Sequence, residues 1–279
     1  MVQLENIKKQ YDNFCLECSI IVPKGQVTGL IGRNGAGKST TFKAMLGLIC
    51  IDDGSAHIFG KDAKDLTAQD RERMGVVLAD SGFSNYLTIK DLLSVLKKFY
   101  HSFSPEEFIK QCDRFGLPLN KKIKEFSTGM KRKLQVLAAI SHNANLLVLD
   151  EPTAGLDVIV RDELIDMLRE YMENGERSII ISSHISSDLE GLCDDVYFIE
   201  QGKILMHEET GVLLGDYGLI KVTEEQYQHL DKKYIIKSHK EQFGYSCLTN
   251  QKQFYMENYP SLVLEKGSID DVITMMVRK

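Results

Sequence analysis

A lysine, two hydroxyls and three glycines fall within one short stretch of this chain, Gly32-Arg33-Asn34-Gly35-Ala36-Gly37-Lys38-Ser39-Thr40. Glycine lets the backbone enter conformations closed to other residues, so successive N–H groups can converge on one anion. A lysine at the end of such a loop brings a positive charge to a phosphate, and the hydroxyl after it offers a hard oxygen to a divalent cation. The spacing G-x-x-x-x-G-K-[ST] is that of a phosphate-binding P-loop, which requires a strand before it and a helix after it. Both are legible. Val27 to Ile31 is an apolar run, and Thr41 to Leu48 carries Phe42, Met45 and Leu46 at helical spacing. The start of that helix turns free N–H groups and the positive end of its dipole toward the same place.

A second constellation is Asp150-Glu151, which directly follows Leu146-Leu147-Val148-Leu149. Such an unbroken apolar run is expected of a central parallel strand buried on both faces. The carboxyl end of that strand is where open α/β sheets bind ligands. There Asp150 can hold a divalent cation, and Glu151 can orient or deprotonate an attacking water. His184 follows another strand, Ser178 to Ser182. Taken alone it is more often a structural histidine than a functional one. Cys15 and Cys18 sit three apart in an alternating stretch, so their thiols point to opposite faces of a strand and converge poorly on a metal. They read as reduced thiols, like the other four scattered cysteines.

Positioning these groups calls for an α/β fold. Val2 to Ile7 and Phe14 to Val22 alternate as antiparallel strands, with Tyr11 in the turn between them, and Ala56 to Phe59 adds a short strand. Met74 to Leu78 reads as a buried strand, and Ala79 to Leu87 as a loop. Two helices follow: Ile89 to Tyr100, and one begun by Ser104-Pro105-Glu106-Glu107 that ends near Gly116. A further helix opens at Phe126-Ser127-Thr128-Gly129-Met130, and a long one runs to Met172 after Ala154-Gly155-Leu156-Asp157. Val196 to Met206 reads as a hairpin. In the tail, Leu219 to Val222, Tyr234 to Ile236, Gly244 to Leu248 and Ser261 to Leu264 alternate as strands, with a helix at Thr223 to Leu230 and another opening at Gly267.

With 279 residues there is room for one large domain and a small appendage, and 43% hydrophobic residues suffice for a core. A net charge of −6 argues against a general nucleic-acid binder. No apolar run approaches the roughly 18 residues of a membrane span. The N-terminus lacks the basic and apolar regions of a secretion signal, so a cytosolic protein is expected, with any membrane role through a partner.

In order, the P-loop, the Ser-x-Gly helix, the strand ending Asp-Glu-Pro-Thr, the Gly-Leu-Asp turn and the strand with Ser-His resemble the ATP-binding cassette (ABC) ATPases over about residues 1 to 206. The resemblance implies a P-loop core with a mostly parallel sheet, an antiparallel β subdomain and a helical insert carrying the signature motif. Residues 1–215 would form the ATPase domain, and 216–279 a small C-terminal α+β accessory region. ATP and Mg²⁺ are the implied cofactors. Gly32 to Thr40 would hold the phosphates, Tyr11 would stack on adenine, and Ser39 and Asp150 would hold the metal. Lys38, Glu151 and His184 would serve catalysis, and Asp157 belongs to the D-loop. Ser127, Thr128, Gly129 and Met130 would face the nucleotide of a second ATPase subunit, although they read Phe-Ser-Thr-Gly-Met where the family has Leu-Ser-Gly-Gly-Gln. Ala79 stands where the family places a glutamine, leaving Asp80 as a substitute metal ligand and implying slow basal hydrolysis. The loop to Leu87, with Phe83 and Tyr86 exposed, would dock a transmembrane permease. The closest likeness is to bacterial peptide and drug exporters, the phenol-soluble modulin type included, at the cytoplasmic face of the membrane. A soluble cassette ATPase, such as one acting in iron–sulfur assembly, remains the second reading.

Overall fold

The computed structural model describes residues 1–277; the last two residues of the expected accessory region lie outside the described residues. One large sheet is built from β1 Val2–Tyr11, β2 Phe14–Val22, β3 Val27–Ile31, β4 Asp53–Ile58, β5 Lys61–Asp62, β6 Met74–Val77, β7 Leu146–Asp150, β8 Ser178–Ser183, β9 Asp195–Glu200 and β10 Lys203–Glu209. Its order is β5-β4-β1-β2-β10-β9-β3-β8-β7-β6. From β9 to β6 every pairing is parallel, whereas β5, β4, β1 and β2 form an antiparallel wing.

Strand periodicity explains how the sheet is covered on both sides. Leu147, Leu149, Ile179 and Ile181 join one core; Leu146, Val148, Leu30 and Ile180 join another on the opposite face. Around the sheet lie α1 Lys38–Met45, α2 Ala68–Glu72, α3 Ile89–Phe99, α4 Pro105–Arg114, α5 Thr128–Ile140, α6 Val158–Met172, α7 Ser187–Glu190 and α8 Thr210–Gly215. α3 and α4 form the helical insert. Thr88 opens α3 with a reciprocal capping box to Asp91, and Ser104 caps α4 with Pro105 at its first position. The insert is tied to the cassette by Arg114, whose guanidinium reaches both oxygens of Glu170 on α6.

The C-terminal part adds a second sheet from β11 Gly218–Val222, β12 Ile235–Glu241, β13 Gly244–Thr249 and β14 Val263–Lys266, ordered β12-β13-β11-β14 and antiparallel throughout. With it come α9 Glu224–His229, α10 Lys252–Asn258 and α11 Ile269–Val277. One face of this sheet has its own small core around Ile220, Cys247 and Tyr255. Leu219 and Leu248 on the other face join Ile269, Val272 and Met275 of α11 in the main core. Sequence patterning does not reveal α7, α8 or α10, and β12 runs from Ile235 to Glu241 rather than ending at Ile236. Phe83 corrects an expectation too: it is half-buried and packs on the main core, while Tyr86 is exposed. Among the described residues no helix is long and apolar enough to cross a membrane.

Candidate nucleotide site

Three parallel strands end side by side. Ile31 of β3 pairs with Ser183 of β8, and Ser182 of β8 pairs with Asp150 of β7. The P-loop, Asp150-Glu151 and His184 therefore emerge at one edge of the sheet, although far apart in sequence. A cavity of about 290 Å³ opens there, lined by Asn34, Gly35, Gly37, Lys38, Ser39 and Thr40 together with Phe14, Ala79 and Glu151. Gly37 has φ 116°, and a Cβ on it would come 2.9 Å from the Phe14 ring, so glycine is required on both counts. Gly37 also occupies the N-cap of α1, no side chain caps that helix, and its first turn holds no acidic residue. The first N–H groups of α1 are thus left facing the cavity, the arrangement that favours an anion.

Lys38 is buried at the mouth of this helix, and its Nζ donates to the carbonyls of Gly32 at 2.5 Å and Arg33 at 3.2 Å. Its third neighbour is Glu151 Oε1 at 3.0 Å. That last contact is at ion-pair distance but lacks hydrogen-bond alignment, and Oε1 has no other partner. The second carboxylate oxygen, Oε2, lies 2.6 Å from His184 Nδ1. One glutamate, at the end of β7, therefore spans the histidine that follows the adjacent strand β8 and the P-loop lysine that follows β3, one strand further on. Its own backbone is unusual: Glu151 has φ 51°, a left-handed conformation that a non-glycine residue adopts at a cost. Ser182 helps hold it there. The Ser182 hydroxyl accepts from Glu151 N at 2.9 Å and donates to Asp150 Oδ1 at 2.6 Å. Asp150 is buried by these contacts and by the flanking strands.

Other expected residues stand elsewhere. Tyr11 pairs with Phe14 across the hairpin, but Phe14 lines the cavity, while the Tyr11 ring is exposed and 6.3 Å from it. Phe14 escapes a reading of the sequence because both aromatics flank the same turn, and the spacing alone does not say which ring leans onto Gly37. Asp80 is not turned to Ser39 or Asp150: its carboxylate lies 2.8 Å from Lys43 Nζ, and that bond holds its pKa below the usual carboxylate range. Ser127 caps α5, its Oγ accepting from Met130 N at 3.2 Å, and Asp157 caps α6, accepting from Val160 N at 3.0 Å. Thr128 is exposed, Met130 packs partly on the core, and a Cβ on Gly129 would come 2.9 Å from Val160 Cγ1. None of these four signature residues lines the P-loop cavity. Of the four, Ser127 and Thr128 are exposed. Arg33 and Ala36 complete the loop itself, the Ala36 N–H closing a turn onto the Arg33 carbonyl at 3.0 Å.

Comparison with known proteins agrees with this geometry. The ABC transporter family profile matches residues 16–154. The bacitracin transport ATP-binding protein BcrA of Enterococcus faecalis is 34% identical over 209 residues, covering 74% of this chain and 68% of its own length. The lantibiotic transport ATP-binding protein SrtF of Streptococcus pyogenes is 34% identical over 213 residues, 75% of this chain and 91% of its own. A solved ATP-binding subunit of an ABC transporter superposes with a TM-score of 0.68 at 25% identity, over 76% of this chain and 91% of that one. A dimeric ATP-binding cassette bound to ADP and Pi superposes with a TM-score of 0.65 at 19% identity, over 75% of this chain and 99% of that one, a likeness of fold.

Proposed function

Because the chain belongs to the ABC transporter family of ATP-binding subunits, we propose that it drives a bacterial exporter of peptides or peptide-like antibiotics, dimerising on ATP beneath a separate permease at the cytoplasmic face of the membrane. The observation that carries the ATPase reading is the meeting of Lys38, Glu151 and His184 at the ends of three parallel strands. The relatives named above are transport subunits, which leaves the second reading, a soluble cassette uncoupled from transport, without support. In this view residues 1–215 are the engine and 216–279 an accessory region. The experiment is detergent co-purification with the membrane protein encoded beside it; a chain that never retains a membrane partner, in any nucleotide state, argues against the transport role.

The division of labour follows from the geometry. The N–H groups at the start of α1 and the Lys38 ammonium would bind the β- and γ-phosphates, and Phe14 with Tyr11 would offer the aromatic surface for the base. Glu151 would take a proton from the attacking water, and His184, already hydrogen-bonded to it, would hold that carboxylate in line. Ser39, which lines the cavity, and Asp150, buried directly before the lining Glu151, are hard oxygen donors of the kind that would hold a magnesium ion. When bound, Mg²⁺ would neutralise phosphate charge. Asp80, held by Lys43, would need to leave that partner to join it.

Ser127 to Met130 do not line their own P-loop cavity, so their service would be to a second copy. Ser127→Arg is expected to block ATP-driven dimerisation while the monomer still binds ATP. Arginine also removes a helix cap worth about 1 kcal/mol, so the melting temperature of the monomer is recorded alongside. Size-exclusion chromatography in a hydrolysis-deficient background reads the result, and a persisting dimer places the interface elsewhere.

The loop after β6 forms one side of a cavity of about 220 Å³, with Val76, Ser81, Phe83, Tyr100 and Gln135 among its walls. Gln135 of α5 donates to the Ser81 carbonyl at 2.7 Å, so the signature helix itself holds this loop. A cytoplasmic helix of the permease would dock here and reach α5 directly. Phe83→Ala with Tyr86→Ala is expected to weaken co-purification of the permease severalfold with ATP binding unchanged, as loss of aromatic anchors does at other interfaces. An undiminished complex removes this groove from the interface.

A further inference from the structure

The segment after the histidine, His184 to Glu190, is held to the main core by Leu189, which is fully buried. α7 is a single turn, marginal by itself, and no side chain caps its start; the buried Ser186 hydroxyl has no partner. Beyond Leu189, its polar support comes from two directions. On the cassette side, Asp188 accepts from the Thr153 hydroxyl at 2.6 Å and lies 3.3 Å from the Arg161 guanidinium, which ties it to the turn after Glu151 and to α6. On the other side, Glu190 Oε1 accepts from the backbone N–H of Ile269, the first residue of α11, at 3.1 Å. A carboxylate there also meets the positive end of the α11 dipole.

α11 is itself fixed at both ends. Ser268 and Asp271 close its start reciprocally, and the Met276 carbonyl near its end accepts from Lys237 Nζ of β12 at 2.8 Å. Between these anchors Ile269, Val272 and Met275 are buried in the main core. Its remaining face, with Asp270, Ile273 and Thr274, walls a cavity of about 500 Å³ whose opposite side is Gly32, Arg33 and His184. α11 is thus a strut running from the C-terminal sheet to the histidine segment and the base of the P-loop.

We propose that Glu190 and α11 are positioning elements for His184: the C-terminal unit sets the rate of hydrolysis by holding the histidine segment against Glu151, without contributing to nucleotide binding. The proposal rests on the reading of His184 as a group that acts in hydrolysis. Undocking α11 from Glu190 would leave α7 held by Leu189 and Asp188 alone and loosen the hold of the ring on the carboxylate, 2.6 Å away in the docked state. Whatever moves the C-terminal sheet would then reach the reaction through this strut.

The test uses the full-length chain and three substitutions at Glu190, which is only half-buried and tolerates change. Glu190→Ala removes the acceptor. Glu190→Asp keeps the charge but withdraws it by one methylene. Glu190→Gln keeps reach and acceptor. The alanine and aspartate variants are expected to speed hydrogen exchange across residues 184–190 and to lower kcat by about three- to tenfold, the population effect of one hydrogen bond. KM for ATP and the ATP-induced melting shift should stay as in wild type, and the glutamine variant should restore both exchange and kcat. Unchanged kcat in the alanine and aspartate variants overturns the proposal, as does a glutamine variant as slow as alanine, or a rise in KM at constant kcat. His184→Ala separates the two layers. Wild-type turnover there would remove the histidine from the reaction altogether, whereas a slow His184→Ala beside a normal Glu190→Ala overturns the positioning role alone.

Discussion

Glu151→Gln is expected to slow ATP hydrolysis by ~10²-fold or more, the usual worth of a positioned base, while an ATP-bound dimer accumulates. Glutamine has nearly the same shape, so the backbone at φ 51° and the hydrogen bond from Glu151 N to Ser182 should survive. What disappears is basicity and charge. The carboxylate faces Lys38 with one oxygen and His184 with the other, so the substitution also loosens both neighbours. Lys38 then loses its carboxylate contact with Glu151 and keeps the two carbonyls of Gly32 and Arg33. A lysine no longer drawn to a fixed anion is freer to meet a phosphate, so affinity for MgATP should hold or rise. Steady-state phosphate release at saturating MgATP measures the first effect, and size-exclusion chromatography with ATP the second. Turnover equal to wild type would take Glu151 out of its assigned role, and weaker binding would mean that the carboxylate supports the loop rather than competing with the nucleotide.

Much of this arrangement is legible in the amino-acid sequence, and the reasons are local. β3, the P-loop and α1 are contiguous, and the loop has a fixed spacing. The run Leu146 to Leu149 announces a strand covered on both faces, which its complete burial bears out. Thr88 and Ser104 open α3 and α4 where a hydroxyl followed three residues later by an acid says they should. Short elements escape for the converse reason. α7 and α8 are one or two turns long and never complete an amphipathic period, and α10 begins at Lys252 after Gln251, whose side chain does not cap it. The contacts that matter most at the site lie beyond the sequence for another reason. The Glu151 bridge between Lys38 and His184 depends on β8 lying between β3 and β7, and strand order is not written in any one strand's pattern. The Lys43–Asp80 pair depends likewise on where the end of β6 falls beside α1. The role given to α11 requires that residues at the far end of the chain return to the base of the P-loop, which no local pattern announces.

Lys38→Ala should abolish most of the thermal stabilisation that MgATP confers. The ammonium is nearly fully buried, and it is the only side-chain cation among the residues lining the phosphate cavity. Hydrogen bonds from a charged donor contribute roughly 1.5–3 kcal/mol each, so losing those to the phosphates should weaken binding by about 100-fold. At a ligand concentration of about 100 times the wild-type Kd, binding stabilises the native state by roughly 2.7 kcal/mol. For a chain of this size that corresponds to a rise in Tm of roughly 5–11 °C, at about 2–4 °C per kcal/mol. In the variant the same concentration merely matches Kd, and RT ln 2 leaves about 0.4 kcal/mol, a rise of roughly 1–2 °C. The nucleotide-free baselines will differ as well. Without the ammonium, the buried Glu151 Oε1 faces no positive charge, the Gly32 carbonyl loses the lysine donor and the Arg33 carbonyl keeps only the Ala36 N–H, so the variant alone should melt lower. Each protein is therefore compared with its own nucleotide-free state in differential scanning calorimetry. Adding Glu151→Gln to Lys38→Ala removes the stranded charge and should recover part of the baseline without recovering the ATP-induced shift. Equal shifts in wild type and Lys38→Ala would mean that the phosphates are not bound at this loop.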